Sequence, residues 1–206
     1  MSRSLCKRLA WRVYVSTMLY VGMALFTGKG DKGDTGLFGS KQRVSKNSAI
    51  AEALGTLDEC NSFLGLCKSA AREKAFTFGK EGIAEMVHEV QNHLFTIQAE
   101  VAGADKHIPE SSVRTMEHII NDVEKALPPI KSFLISGATE TSAWFDVART
   151  LARRAERRVI AVHEEGGRPM HEHTRAYLNR LSSLLYALAR LANHHAGIPE
   201  KPPEYK

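Results

Sequence analysis

An arginine-rich segment, VARTLARRAERRVIAV at residues 147–162, has the strongest chemical signature in the chain. Helical spacing puts its charged residues on two neighbouring stripes of one helix. The first stripe carries Arg149, Arg153, Glu156 and Arg157, and the second carries Arg154 and Arg158. Arginines crowded in this way repel one another unless an anion neutralises them, and their planar guanidinium groups bond phosphate oxygens in pairs. The pattern favours a polyphosphate ligand; the alternative is a solvated basic face or a set of ion pairs between subunits.

A glycine-rich stretch, TGKGDKGDTG at residues 27–36, is the second element suited to an anion. Glycines let backbone N–H groups converge on a phosphate, so the stretch is either a phosphate-binding loop or a flexible arm. Gly28, Gly30 and Gly33 have the GxGxxG spacing of a dinucleotide-binding turn, but that motif must lie between a strand and a helix of a βαβ unit. Together with the arginine-rich segment, the stretch favours a nucleoside triphosphate.

Five amphipathic stripes predict the helices that must position these residues. Apolar residues recur at helical spacing over 50–64, 83–101, 116–123, 144–162 and 178–192. Almost no segment after residue 46 alternates with period two, and the Walker pattern G-x-x-x-x-G-K-[ST] does not occur. The sequence therefore predicts an all-α, up-down five-helix bundle with a glycine-rich N-terminal loop, which excludes a dinucleotide-binding βαβ fold.

Capping and breaking residues set the expected ends of these helices. Ser48 is expected to cap the first helix, and Ser111 or Ser112 the third. Helix ends are expected near Gly103, Pro128-Pro129, Gly166-Gly167 and Gly197.

Charge and cysteine usage narrow the class of protein. The net charge is +5, but residues 1–26 hold four basic residues and no acid, and the rest of the chain has 24 basic against 23 acidic residues. This nearly neutral body argues against a nucleic-acid-binding protein. Cys6, Cys60 and Cys67 are odd in number and form no CxxC, so neither a disulfide framework nor a zinc site is indicated, and a reducing compartment is expected.

The N-terminal residues have several interpretations. An apolar run at 13–26 resembles a signal-sequence core or a short anchor, but it is too short and too interrupted to span a bilayer. No A-x-A-like cleavage site follows, and the basic, acid-free composition also fits an organellar presequence. The favoured interpretation is a start at Met23. We therefore expect an extension at 1–22, one helical domain at 23–197 and a tail at 198–206, in the cytoplasm, or in the mitochondrial matrix if residues 1–22 are a presequence.

Four motifs, in this order, resemble the PduO-type ATP:cob(I)alamin adenosyltransferases over about residues 24–195. They are FTGKGDKGDTGLFGSKQRVSK (26–46), EALGTLDECNSFLG (52–65), FLISGATETSAWFDVARTLARRAERRVI (133–160) and YLNRLSSLLYALARLAN (177–193). The resemblance implies a homotrimer of five-helix bundles with active sites between subunits. It implies transfer of the 5′-deoxyadenosyl group of ATP, with Mg²⁺, to the cobalt of cob(I)alamin, releasing triphosphate. A flavoprotein reductase and an adenosylcobalamin-dependent enzyme are the implied protein partners, with no nucleic acid and no membrane.

The resemblance also implies roles for individual residues. Those expected to bind ATP are Thr27, Gly28, Lys29, Gly30, Thr35, Gly36, Lys46, Arg153, Arg154, Glu156, Arg157 and Asn179. Arg149 and Asp58 match a pair that forms a salt bridge between subunits near the cobalamin. Phe133 matches the aromatic residue that displaces the lower ligand of cobalamin.

The chain departs from the family pattern at three places. The family's LPGG is Ile135-Ser136-Gly137-Ala138 here, and a frequent histidine is Asp146, which is expected to neutralise Arg149 or Arg153 in part, or to bind elsewhere. Cys60 replaces leucine at an expected core position. Because the departures at Ser136, Ala138 and Asp146 affect the cobalamin side, a second hypothesis is a non-catalytic helical trimer that binds ATP or adenosylcobalamin as a sensor or delivery protein.

Two histidine clusters, His171-Glu172-His173 and His194-His195, lack the partners of a metal site. The first is expected in a loop, and all four histidines are expected to be solvated. No protein metal site is predicted.

Overall fold

The computed structural model describes residues 25–39, 41–166 and 168–205. The chain divides into two compact units, the first ending at Lys32 and the second beginning at Gly33. The extension predicted at residues 1–22 lies outside the described residues.

Within the described part of the chain, the second unit contains five α-helices. They are α1 (Ala49–Glu73), α2 (Ile83–Ala102), α3 (Glu110–Ala126), α4 (Glu140–Glu164) and α5 (Glu172–His195). Helix α1 packs against α2 and α4, and α5 packs against α4 and α3. The predicted five-helix bundle is confirmed.

Buried apolar residues explain why these helices pack together. Leu178, Leu181, Leu184, Leu185 and Leu188 of α5 are each at most 1% exposed, and they repeat with the three- and four-residue spacing of one helix face. Each buried leucine contributes about 1.5–3 kcal/mol relative to an exposed one. The amphipathic pattern seen in the sequence is therefore the pattern of the core.

Most of the predicted helix ends are confirmed. Ser48 Oγ accepts a hydrogen bond from Ala51 N–H at 3.3 Å, which caps α1. Gly103 ends α2 with a φ of 102°, a left-handed conformation that favours glycine. Helix α3 ends at Ala126, because the residue before Pro128 is disfavoured in the helical region and Leu127 is extended.

The predicted caps of α3 are wrong. The N-cap is Pro109, in an extended conformation, and the helix begins at Glu110. Ser111 and Ser112 lie in the first turn, where the Ser112 hydroxyl contacts Nε2 of His93 at 3.2 Å instead of capping.

Two short hairpins were not predicted. Strands β1 (Asp34–Gly36) and β2 (Arg43–Ser45) pair antiparallel, with Thr35 opposite Val44. Strands β3 (Thr77–Phe78) and β4 (Glu81–Gly82) form a second pair between α1 and α2. Strands of two or three residues are too short to show an alternating pattern in the sequence.

Among the described residues, no helix has both the length and the apolar composition needed to span a membrane.

Candidate functional site

Helix α4 carries the arginine-rich segment, and side chains secure its start. The Thr139 hydroxyl accepts from Ser142 N–H at 3.1 Å, and Ser142 Oγ accepts from Thr139 N–H at 2.9 Å, which forms a capping box. The core face of the helix is apolar and consists of Phe145, Ala148, Ala152, Ala155, Val159 and Val162. The arginines flank this buried face and are partly or fully exposed.

Arg149 is more enclosed than the other ion-paired arginines of α4. Its side chain is 28% exposed, against 42% for Arg154 and 54% for Arg158. Its Nε lies 3.5 Å from Oδ1 of Asp146, and its guanidinium carbon lies 5.9 Å from the ring centroid of Tyr186. The carboxylate and the aromatic face together hold the guanidinium in one orientation. Burial raises the pKa of Tyr186, so its hydroxyl stays neutral.

A groove of about 630 Å³, the Phe133 groove, brings three of the predicted residues together. Phe133, Arg149 and Arg153 line it, with Ser182 and Tyr186 from α5. The Phe133 ring is 81% exposed, so its apolar face is open to a ligand. An aromatic ring beside two guanidinium groups suits a ligand with a broad apolar face and a nearby anion.

Asp146 contacts the loop that follows Phe133. Its Oδ2 accepts from Gly137 N–H at 3.3 Å, while its Oδ1 faces Arg149. The expectation that Asp146 neutralises Arg149 in part is confirmed. Asp146, which departs from the family pattern, therefore contacts Gly137, which keeps the glycine of that pattern and lies between the changed residues Ser136 and Ala138.

Glu156 and Asn179 are also brought together. Nδ2 of Asn179 donates to Oε1 of Glu156 at 3.1 Å, which joins α5 to α4. Arg180 donates to Oδ1 of Asn179 at 2.7 Å, so the amide is held from both ends.

The second arginine stripe faces α1. Arg154 forms an ion pair with Glu59, and Nε of Arg158 lies 3.4 Å from Oε1 of Glu52. Both pairs are about half exposed, where an ion pair contributes at most about 1 kcal/mol. An anionic ligand could therefore displace either partner at little cost.

The β1–β2 hairpin holds three predicted residues. Thr35 and Gly36 lie in β1, and Lys46 directly follows β2, where its N–H donates to the Gly33 carbonyl at 2.9 Å. Asp34 and Arg43 form a two-bond ion pair across the hairpin, with both N–O distances 2.7 Å. This hydrogen-bonded guanidinium lowers the pKa of Asp34 below 3.8.

Asp58 lines a different groove. This Asp58 groove of about 770 Å³ runs between the hairpin and the adjoining faces of α1 and α2, and Gly36, Phe38, Leu54 and Phe95 also line it. Phe38 and Phe95 are 70% and 61% exposed. The structure of one chain therefore puts Asp58 and Arg149 in separate grooves.

Comparisons with known proteins bear on this arrangement. A family model described as cobalamin adenosyltransferase matches residues 25–192, which includes every residue assigned to the site. The chain belongs to the cobalamin adenosyltransferase family.

Relatives within the cobalamin adenosyltransferase family come from bacteria and from the mouse. A corrinoid adenosyltransferase of Bacillus subtilis is 37% identical over 180 residues, covering 85% of this chain and 90% of that protein. The corrinoid adenosyltransferase PduO of Citrobacter freundii is 37% identical over 181 residues, but this chain spans only 51% of its length. The chain therefore corresponds to about half of that relative.

Solved structures of family members share the fold. A variant PduO-type ATP:corrinoid adenosyltransferase from Lactobacillus reuteri, complexed with cobalamin and ATP, matches with a TM-score of 0.76 and 28% identity, covering 87% of this chain and 96% of that one. A second variant, complexed with ATP, matches with a TM-score of 0.77 and 27% identity, with coverage of 87% and 100%.

Residues 27–32 of the glycine-rich stretch lie in the first unit. Lys29 N–H donates to the Thr27 hydroxyl at 3.3 Å, and Asp31 N–H donates to the Gly28 carbonyl at 3.2 Å. Gly28 has a φ of 65°, so a larger residue there would be strained. Thr27, Gly28, Lys29 and Gly30 stay predicted ATP ligands on the basis of the family resemblance.

The expectation for His171 and His173 is wrong. His171 is the N-cap of α5, its Nδ1 accepting from His173 N–H at 3.3 Å, and both residues are partly buried. The His171 ring stacks on His107 at 4.2 Å. His171 N–H also donates to Oε1 of Glu100 at 2.6 Å, and Glu100 is buried, so the start of α5 lies against the bundle. Within the described ranges, no group of three or more metal-ligating side chains is found.

Tyr186 is the site residue that sequence reasoning missed. It follows Asn179 by seven residues, or two helical turns, so the two share a face of α5. The seven-residue spacing from Asn179 within YLNRLSSLLY could have indicated that Tyr186 lies at the site, but the leucines of the same helix dominate the sequence pattern.

Proposed function

We propose that this chain transfers the 5′-deoxyadenosyl group of ATP to the cobalt of cob(I)alamin, giving adenosylcobalamin and triphosphate. The observation that carries the proposal is the Phe133 groove, where an open aromatic ring lies with Arg149 and Arg153. The family membership supports it, as does the relative complexed with both cobalamin and ATP.

The reaction needs alignment more than proton transfer. The cobalt(I) electron pair attacks C5′ of ATP, a Co–C bond forms, and the C5′–O bond breaks as triphosphate leaves with its electron pair. Holding the two reactants in line contributes on the order of 7–11 kcal/mol to such a step. Arg153, Arg154 and Arg157 stabilise the charge that develops on triphosphate, with Thr35, Gly36, Lys46 and residues 27–30 binding the phosphates.

The role of Phe133 is to make the reduction of cob(II)alamin to cob(I)alamin easier. Cob(II)alamin is difficult to reduce while an axial ligand remains on the cobalt. The exposed Phe133 ring is available to lie under the corrin and to exclude both that ligand and water. Arg149, oriented by Asp146 and Tyr186, lies in the same groove.

Magnesium is compatible with the residues that surround the proposed phosphate site. Glu156 offers one carboxylate, held by Asn179. Mg²⁺ bound to nucleotides takes most of its ligands from phosphates and water with one or two carboxylates, so this set fits the ion. When bound, the ion would neutralise phosphate charge, while Asn179 and Glu156 orient the nucleotide.

A homotrimer with shared sites completes the proposal. Asp58 of one subunit would reach Arg149 of the next, since the two residues line separate grooves of a single chain. The exposed rings of Phe38 and Phe95 would be covered by the neighbouring subunit. A flavoprotein reductase and an adenosylcobalamin-dependent enzyme are the proposed protein partners, in the cytoplasm or, if residues 1–22 are a presequence, in the mitochondrial matrix.

Incubating the purified protein with ATP, Mg²⁺ and chemically reduced cobalamin tests the activity. Formation of adenosylcobalamin, followed by the corrin absorbance, is the expected result. Tight ATP binding without product would contradict the enzyme and favour a binding protein.

The Phe133→Ala variant tests the aromatic residue. We expect the rate from cob(II)alamin with a reductant to fall by at least about 100-fold, in the range for loss of one strong transition-state contact. The dissociation constant for ATP should change by less than about threefold. Equal effects on both quantities would contradict the assigned role, and Phe133→Tyr is the matched control that keeps the ring.

A further inference from the structure

The segment that bears Phe133 has little support of its own. Residues 130–138, the Phe133 segment, lie outside every described helix and strand. Phe133 is 81% exposed and Ile135 is 58% exposed, so neither side chain is held by the core. The position of such a segment depends on the hydrogen bonds that it makes with neighbouring elements.

One of these bonds comes from the C-terminal residues 198–205, here called the C-terminal strap. Ile135 N–H donates to the Lys201 carbonyl at 2.9 Å, two residues from Phe133. Lys201 itself is exposed, as are most residues of the strap. The strap therefore needs another contact to stay against the bundle.

Glu200 provides that contact. Its Oε2 accepts from Nε of Arg190 at 2.9 Å, and its Oε1 accepts from Nδ2 of Asn193 at 3.4 Å. The side chains of Arg190 and Glu200 are only 7% and 19% exposed. A charge withdrawn from water to this extent is stable only with its partner present, so the pair fixes where the strap docks on α5.

The same two α5 residues also hold both ends of the Phe133 segment. Arg190 Nη2 donates to the Pro128 carbonyl at 2.9 Å, just before the segment begins. Oδ1 of Asn193 accepts from the Thr139 hydroxyl at 3.3 Å, just after it ends. Loss of the Glu200 carboxylate would therefore disturb the middle and both ends of the segment together.

We propose that Glu200 is a positioning residue, which docks the C-terminal strap so that the strap holds Phe133 in place to exclude the axial ligand of cobalamin. The inference rests on the proposed adenosyltransferase function. The strap lies beyond the residues that the family model matches, which end at 192.

The test compares the full chain with Glu200→Ala, Glu200→Gln and a chain that ends at residue 197. Glu204→Ala is the matched control, since Glu204 is an exposed carboxylate of the same strap. Amide exchange of peptides that cover residues 130–138 reports on the strap without any ligand. Rates from cob(II)alamin with a reductant and from prereduced cob(I)alamin, together with the ATP dissociation constant, report on the reaction.

We expect the Ile135 amide to exchange at least about tenfold faster in Glu200→Ala and in the shortened chain, because its acceptor is lost. The rate from cob(II)alamin should fall at least about tenfold, while the rate from cob(I)alamin and the ATP affinity change by less than about threefold. Glu200→Gln should give an intermediate result, because an amide oxygen still accepts, and Glu204→Ala should match the wild type.

Unchanged exchange at Ile135 would overturn the proposal, as would an equal fall in both rates, which is what a general loss of stability produces. Glu200→Gln keeps the test decisive if the shortened chain does not fold. If the wild type makes no product even from cob(I)alamin, the proposed function fails, and faster exchange in Glu200→Ala still supports the docking of the Phe133 segment by the strap.

Discussion

Asp146 departs from the family pattern, yet its contacts are with Gly137 and Arg149, which both follow that pattern. The Asp146 carboxylate accepts a hydrogen bond from Gly137 N–H and forms an ion pair with Arg149. One side chain therefore contacts both the 135–138 loop and the arginine. With only 8% of Asp146 exposed, its charge requires these partners. Asp146 therefore links the 135–138 loop to Arg149.

Arg154 allows the phosphate role of the arginines to be tested at a single residue. We expect Arg154→Ala to weaken ATP binding about 10- to 100-fold, because a charged hydrogen bond to phosphate contributes about 1.5–3 kcal/mol. Isothermal titration with ATP and Mg²⁺ measures the change. Arg158→Ala is the matched control. Like Arg154, Arg158 forms an exposed ion pair with a glutamate of α1, but it is not a predicted ATP contact. An unchanged ATP affinity in Arg154→Ala would refute its assignment.

At the scale of elements, the β1–β2 hairpin and α1 each carry a prediction. The hairpin gathers Thr35, Gly36 and Lys46, and the Asp34–Arg43 ion pair joins its strands. A two-stranded hairpin is marginal by itself, so such a cross-strand pair contributes to its shape.

We expect Asp34→Ala to weaken ATP binding several-fold while the melting temperature of the bundle stays nearly unchanged, since the ion pair is on the surface. Binding assays and thermal melts on one preparation give both quantities. Asp122→Ala, which breaks the exposed Asp122–Lys125 pair of α3, serves as the control. A large loss of bundle stability in Asp34→Ala would show that the hairpin is part of the folding core instead.

Helix α1 buries two thiols, and this predicts a pH dependence of stability. Cys60 and Cys67 are fully buried, and burial raises the pKa of each to about 12, from an ordinary value of 9.0. In the unfolded chain the thiols lose their protons near the ordinary value. Between these two values the folded state therefore binds more protons than the unfolded state, and the free energy of unfolding falls as the pH rises.

We expect the urea midpoint of the wild type to fall more between pH 8 and pH 10 than that of a Cys60→Ala/Cys67→Ala double variant. We also expect iodoacetamide at pH 8 to spare both thiols in the folded chain and to modify them in urea, as peptide mapping would show. Rapid labelling of the folded chain would mean that α1 opens locally.

For the whole molecule, the separation of Asp58 from Arg149 makes the oligomer testable. If each site takes Asp58 from one subunit and Arg149 from the next, Asp58→Ala and Arg149→Ala should each be nearly inactive alone. In every mixed trimer made by co-expressing both variants, one of the three sites should be intact, because it takes Asp58 from an Arg149→Ala chain and Arg149 from the neighbouring Asp58→Ala chain.

Activity of the mixed trimers is measured after copurification on two different tags, with sedimentation velocity to establish a trimer of 22.8 kDa chains. No recovered activity in a proven mixed trimer would mean that both residues of a pair come from one subunit.

Phe95→Glu should weaken the trimer, and Phe95→Leu should retain it, since only the first places a charge in the Asp58 groove.

The sequence alone determined the bundle and the ligand class because both depend on local spacing. The stripe from Leu178 to Ala192 predicts a buried helix face, and the arginines of residues 147–162 predict a phosphate ligand, wherever those helices lie. Only the tertiary structure decided which residues meet. Asp146 with Gly137, Arg149 with Tyr186, and Arg190 with both Glu200 and Pro128 are contacts between chain segments that no periodicity relates, since packing of the core alone brings them together.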